Sequence, residues 1–290
     1  MGSGTWTRDT FATYSTSIGR SVDSRGAISG DYRAQEMFKQ RRIAPELDPK
    51  NAIRECCDSE EHPNTRPVIL ALDVTGSMGG ASVKVAKELN VIMTELYGKV
   101  KDVEFLIMGI GDLAYDSAPI QVSQFESDIR IAEQLDKIYF EGGGGGNSYE
   151  SYTAAWYFGL RHCKLDCWER GKKGIIITLG DEPLNPYLPQ NALSEATGDK
   201  LQGDLETVDL YKQVIEKYEV YHLAVDDVET SYRWHERVIK DTFGKYLDEN
   251  HLKIVNMDNL ASTIVEIVAN SEKNAVVGTM HTDENGAISW

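Results

Sequence analysis

The chain has 290 residues, 41% hydrophobic and 9% aromatic, with a formal net charge of -16 from 46 acids and 30 bases. That composition suits a globular chain of one or two domains with a full core, and not a disordered one. The acidic balance argues against a basic face for nucleic acid and against docking on anionic lipid, and no apolar run reaches the ~18 residues of a membrane span.

The opening stretch MGSGTWTRDTFATYSTS lacks an apolar segment, so no secretory signal is expected. Residues 1–66 are polar, have no clear period and are punctuated by Pro45, Pro49 and Pro63. They read as an N-terminal arm with one helix near Tyr32–Arg42, strapped over apolar surface of the main body. Cys56, Cys57, Cys163 and Cys167 fall into no zinc-ligand spacing, and free thiols in a reducing, cytoplasmic compartment are expected.

The pattern changes at Val68. VILAL is a short, wholly apolar run, as expected for a strand covered on both faces. In SVKVAKELNVIMTELYGK, Val85, Leu89, Ile92 and Leu96 recur at helical spacing. VEFLIMGIGD reads as a strand, IQVSQFE as a short strand and DIRIAEQLDKI as a helix. EGGGGGN is a loop, and SYESYTAAWYFGLRHC a helix in which Trp156, Tyr157 and Phe158 belong to the core. KGIIITLGDEP is a buried strand ending in a loop. Then follow a helix (LETVDLYKQVIEKY), a strand (EVYHLAV), a helix (RWHERVIKDTF), a strand (LKIVNM) and a last helix (LASTIVEIVANS). The tail 272–290 has no period. Strands alternating with helices predict a three-layer, doubly wound α/β fold, Rossmann-like, with a mainly parallel sheet. In such sheets ligands bind at the carboxyl ends of the strands.

Three polar loops belong to that edge. DVTGSMG carries Asp73, Thr75 and Ser77. GGGGGNSYES carries Asn147, Ser148 and Glu150. TLGDEP carries Asp181. Two carboxylates, two hydroxyls and an amide are all hard oxygen donors, with no His or Cys beside them, which suits Mg²⁺, Mn²⁺ or Ca²⁺. Asp73, Thr75 and Ser77 stand at alternate positions of a chain leaving a strand, so one turn can aim all three at one point. Gly76, Gly79 and Gly80 ease that turn. A plainer role exists for each acid: Asp73 as a helix cap, Asp181 as a turn former. Asp112 and Asp116, in GIGDLAYD, read by default as solvated loop acids. The five glycines fit neither phosphate-binding pattern.

The D-x-[S/T]-G-S pattern after an apolar strand resembles the metal-ion-dependent adhesion site of von Willebrand factor type A domains. The resemblance spans about residues 66–271 and divides the chain into an arm (1–66), that domain (67–271) and a tail (272–290). It implies metal ligation by Asp73, Thr75 and Ser77 from the first loop and Asp181 from the third. The family's second-loop Thr is missing, so Asn147 or Ser148 stands in, with Asn147 preferred and Glu150 behind them. The implied function is not enzymatic. It is metal-dependent protein binding, in which a partner's carboxylate completes the coordination of the ion. The intracellular bacterial branch of the family works beside AAA+ ATPases or in stress and conflict systems, which extends the expectation by analogy only. Two competing readings are an α/β serine hydrolase, with Ser77, Asp181 and His222 or His251, and a metal-independent scaffold. The hydrolase elbow needs Gly where Thr75 stands.

Overall fold

In the computed structural model, residues 4–142, 147, 149–274 and the pairs 281–282 and 288–289 are described. Glycines 143–146, Ser148 and most of the expected tail therefore lie outside the described residues.

The polar N-terminal stretch holds on to the body through a few large apolar side chains. Helix α1 (Arg8–Ser17) and the single turn α2 (Ala34–Met37) bring Phe11 and Met37 into the core, where Trp6, Ile28, Phe38 and Leu47 join them. The helix expected over Tyr32–Arg42 is thus only one turn long. Phe38 leaves it in extended geometry and stacks on Phe140 at 5.9 Å, and Lys39–Arg42 offer no apolar face to continue it. Polar clasps fix the arm's path. The Trp6 indole N–H donates to Asn90 Oδ1 (2.8 Å), and Asn90 Nδ2 donates to the Gly26 carbonyl (2.9 Å). Arg20 pairs with Asp136 at 2.6 Å. The arm then rounds the sheet edge and forms strand β1 (Arg54–Cys56) on the opposite face.

Strand β2 (Arg66–Asp73) is buried along nearly its whole length. Its side chains alternate. Val68, Leu70 and Leu72 enter the cluster on the arm's face, and Ile69 and Ala71 enter the other. Helix α3 (Gly79–Tyr97) lays Val85, Leu89, Ile92 and Leu96 on the first face, as their spacing predicts. Strand β3 (Val103–Ile110) follows, and β4 (Ile120–Val122) runs back antiparallel to it. The strand expected over IQVSQFE stops there because Ser123 Oγ takes the Ile107 N–H (2.8 Å), and pairing resumes only as a bridge between Phe105 and Glu126. Arg54 donates to the Val122 carbonyl (3.0 Å), so the arm covers this edge.

Helix α4 (Arg130–Leu135) returns to the arm's face, and α5 (Thr153–His162) lies on the other with Trp156, Tyr157 and Phe158 buried. Strand β5 (Cys163–Leu165) pairs with β1 in parallel, an element with no signal in the sequence. Then come β6 (Gly174–Gly180), β7 (Tyr187–Leu188), α6 (Gln190–Thr197), β8 (Leu205–Glu206), α7 (Thr207–Lys217), β9 (Tyr218–Val225), α8 (Tyr232–Phe243), β10 (Leu252–Val255) and α9 (Leu260–Asn274). The main sheet has the order β10-β9-β6-β2-β3-β4, parallel except at β4, between two apolar clusters. This is the doubly wound architecture that the strand–helix alternation predicts. Among the described residues no helix is long and apolar enough to cross a membrane.

Replacing Asn90 by Ala strands a buried indole N–H and the Gly26 carbonyl, a loss of about 2 kcal/mol for such groups. Urea unfolding of Asn90→Ala measures it. An unchanged midpoint would mean that the arm is not clasped there.

Candidate functional site

Register sets the site. Asp73 ends β2 opposite Ile110 of β3, and Leu72 faces Leu179 of β6, so Gly180 and then Asp181 leave the sheet beside Asp73. Asp73, Thr75 and Asp181 are buried and Ser77 is half-buried. The first loop closes on its own acid: Asp73 Oδ1 accepts the Thr75 N–H (2.9 Å) and hydroxyl (2.5 Å). Ser82, in the first turn of α3, donates to the Asp73 carbonyl at 3.1 Å. The Ser77 side chain, from the first loop, lies near enough to Asp181 in the third to favour its ionised form. Asp181 Oδ2 also accepts the Ser231 N–H (2.5 Å), just before α8, whereas its buried Oδ1 has no partner.

The second loop enters differently from the expected way. Asn147 is exposed, and its side chain accepts the N–H of Tyr149 (3.3 Å) within its own loop. Ser148 lies outside the described residues. The three residues just before α5 do the joining. Glu150 bridges in parallel to Leu184 in the third loop. Ser151 Oγ accepts the Leu113 N–H (3.0 Å) from the loop after β3. The Tyr152 hydroxyl donates to Asp73 Oδ2 (2.8 Å) and accepts the Glu182 N–H (3.3 Å). These attachments are why α5 starts at Thr153 and not near Ser148. Gly180 makes them possible: a Cβ there would lie 1.9 Å from the Tyr152 hydroxyl oxygen.

Tyr152 had no signal in the sequence, where an aromatic before a helix reads as core. Glu150 is 5% exposed, with Oε2 unpartnered. Asp112, expected as a solvated acid, is instead buried with Oδ2 unpartnered, and Asp116 accepts its N–H (2.7 Å). The loop after β3 turns inward at the same edge, which periodicity cannot reveal.

Burial and mutual repulsion oppose ionisation throughout this group. Burial, then the neighbouring Asp181, pushes Asp73 up to about 8. Burial followed by Asp73 pushes Glu150 up to about 11, and burial followed by Asp181 pushes Glu182 up to about 7. Asp181 is raised too, chiefly by burial. Like charges this close cannot all ionise unless a cation offsets them. Two carboxylates with two hydroxyls, one carboxylate oxygen lacking a donor, fit a hard divalent ion. Among the described residues no three His, Cys, Asp or Glu side chains converge closely enough to hold an ion by themselves, so an ion here would need hydroxyls and water as its other donors.

The hydrolase arrangement does not assemble. His222 Nδ1 is bonded to Thr178 Oγ1 (2.8 Å) and its ring stacks on Phe243 (3.8 Å), and burial holds it down at about 3. His251 pairs with Asp248 (2.7 Å) and stacks on Tyr221. Both imidazoles are thus engaged away from Ser77.

The sheet order, with an Asp-x-Thr-x-Ser loop leaving the first of its strands in the chain, is that of a von Willebrand factor type A-like α/β fold. No family model and no curated protein matches the chain. Similar solved structures include the open conformation of the pilus adhesin SpaC from Lactobacillus rhamnosus GG, at 13% identity and TM-score 0.49, covering 78% of this chain and 31% of that one. Another crystal form of SpaC gives 12%, 0.48, 78% and 32%. The von Willebrand domain of the type V pilus tip protein Mfa5 from Porphyromonas gingivalis gives 13%, 0.42, 76% and 98%. The chain spans under a third of SpaC and nearly all of the Mfa5 domain.

Two outcomes follow from this geometry. A methyl group at Gly180 must expel Tyr152, so Gly180→Ala should lower stability by about 1–3 kcal/mol, read from urea unfolding; wild-type stability would refute the close approach. In chelator, the folded state binds the Asp73 proton more tightly than the unfolded state does. That stabilisation is full below about pH 4 and drains away as pH rises towards 8. The melting temperature should therefore fall between pH 5 and 8.5, and Asp73→Asn should flatten the fall. Equal slopes in both proteins would contradict the assignment.

Proposed function

We propose that the chain is a binding protein whose loop edge holds a divalent cation, Mg²⁺ or else Mn²⁺ or Ca²⁺, and presents it to a protein partner. Asp73, Thr75 and Ser77 supply the first loop's oxygens and Asp181 the third's. The second loop's contribution was expected from Asn147 or Ser148. The partner supplies a carboxylate to the ion. The observation that carries this reading is the meeting of Asp73 and Asp181, two buried acids at the ends of adjacent strands, with Asp181 Oδ1 lacking a donor.

Binding is favoured over catalysis because neither histidine of the hydrolase reading bonds to Ser77. Four unpaired cysteines, three of them buried, support a reducing, cytoplasmic setting.

Thermal melts in chelator and in millimolar Mg²⁺ or Mn²⁺ test the site. Ligand linkage predicts a rise of roughly 2–3 kcal/mol of stability at a hundredfold excess over the dissociation constant. Asp73→Asn and Asp181→Asn should abolish the rise and retain the fold by circular dichroism. A cation response that survives in both variants would end the proposal. Partner capture in Mg²⁺ but not in chelator extends the test to function.

A further inference from the structure

Resting on the cation site just proposed, the geometry points to Glu150 as the second-loop group that holds the ion, acting through ordered water. Asn147 would then have no part in binding it.

Three observations carry this. Glu150 is 95% removed from solvent yet Oε2 has no partner, which is a costly state for a carboxyl with no ligand to serve. Its backbone is pinned to the third loop by the bridge to Leu184, three residues after Asp181. Its chain neighbours are pinned as well: Ser151 to the loop after β3, and Tyr152 to Asp73 itself. The carboxyl is thus delivered to the Asp73 side by fixed backbone, as a positioning group requires. Asn147 is exposed and engaged within its own turn.

Water must mediate. Among the described residues no three acidic side chains converge closely enough to bind one ion directly. Asp73 keeps both oxygens engaged with Thr75 and Tyr152. Glu150 would accept from water in the ion's shell, which leaves a vertex free for the partner. The ion is then held by the protein before any partner arrives.

Manganese titration followed by electron paramagnetic resonance of the free ion tests this in the full chain. Glu150→Gln should weaken Mn²⁺ binding at least tenfold, with no loss of melting temperature in chelator, since a merely structural carboxyl would lower it. Asn147→Ala should bind as wild type does. Should Glu150→Gln fail to fold, Glu150→Asp, which keeps the charge, should bind more weakly than wild type at unchanged stability. Wild-type binding by both Glu150 variants, or loss of binding by Asn147→Ala alone, overturns the inference and leaves the cation site standing. Absence of Mn²⁺ binding in the wild type removes the site, and this inference with it.

Discussion

Two acids on neighbouring strands, held out of water, dominate this molecule's loop edge. Parallel strands release their chains on the same side of the sheet, so Asp73 and Asp181 arrive together whether or not their charges are compatible. The surrounding structure is arranged around that conflict. Thr75 and Tyr152 donate to one acid, and the Ser231 amide donates to the other. These donors ease the repulsion without cancelling it, and Asp73 keeps a strong hold on its proton. A buried pair of like charges is hard to justify as scaffold, because an apolar pair would fill the same space at lower cost. It is easy to justify as the resting state of a cation site.

Precision at this edge comes from backbone as much as from side chains. Gly180 gives up its side chain so that the Tyr152 ring can lie against the strand, and Tyr152 then ties Asp73 to the amide of Glu182. The ring is itself set between His222 and Phe243, at centroid separations of 5.0 and 5.9 Å. His222 is kept neutral by the same apolar setting. One aromatic residue therefore carries the position of the first loop's acid into the core. The arm serves a different end: it covers the opposite layer and shields the antiparallel edge strand.

Much of this was legible in sequence, for local reasons. Residues 68–72 could only be a buried strand, since their apolar run has no polar phase, and Val85, Leu89, Ile92 and Leu96 could only line one face of a helix. Their alternation determined the layered α/β class, and the placement of Asp73, Thr75 and Ser77 after the central strand marked the first loop as a cluster of hard oxygen donors. The same logic placed Asp181 at this edge, and register brings it beside Asp73. In the second loop, Asn147 carries hard-donor chemistry in sequence, while the chain's path leaves it in solvent.

What tertiary structure alone decided is which acids meet. Asp112 looks like a surface residue because loops are polar by default, and only the inward turn of its loop buries it. Tyr152 reads as core packing, and its hydroxyl acquires a role only because Gly180, distant in sequence, leaves room for it. The pairing of β1 with β5 and the path of the arm likewise depend on contacts between segments about a hundred residues apart, for which three-residue strands carry no local signal. Periodicity reports the faces an element offers. Which faces come together is set by packing across the whole chain, and at this edge that packing turned scattered polar residues into one charged site.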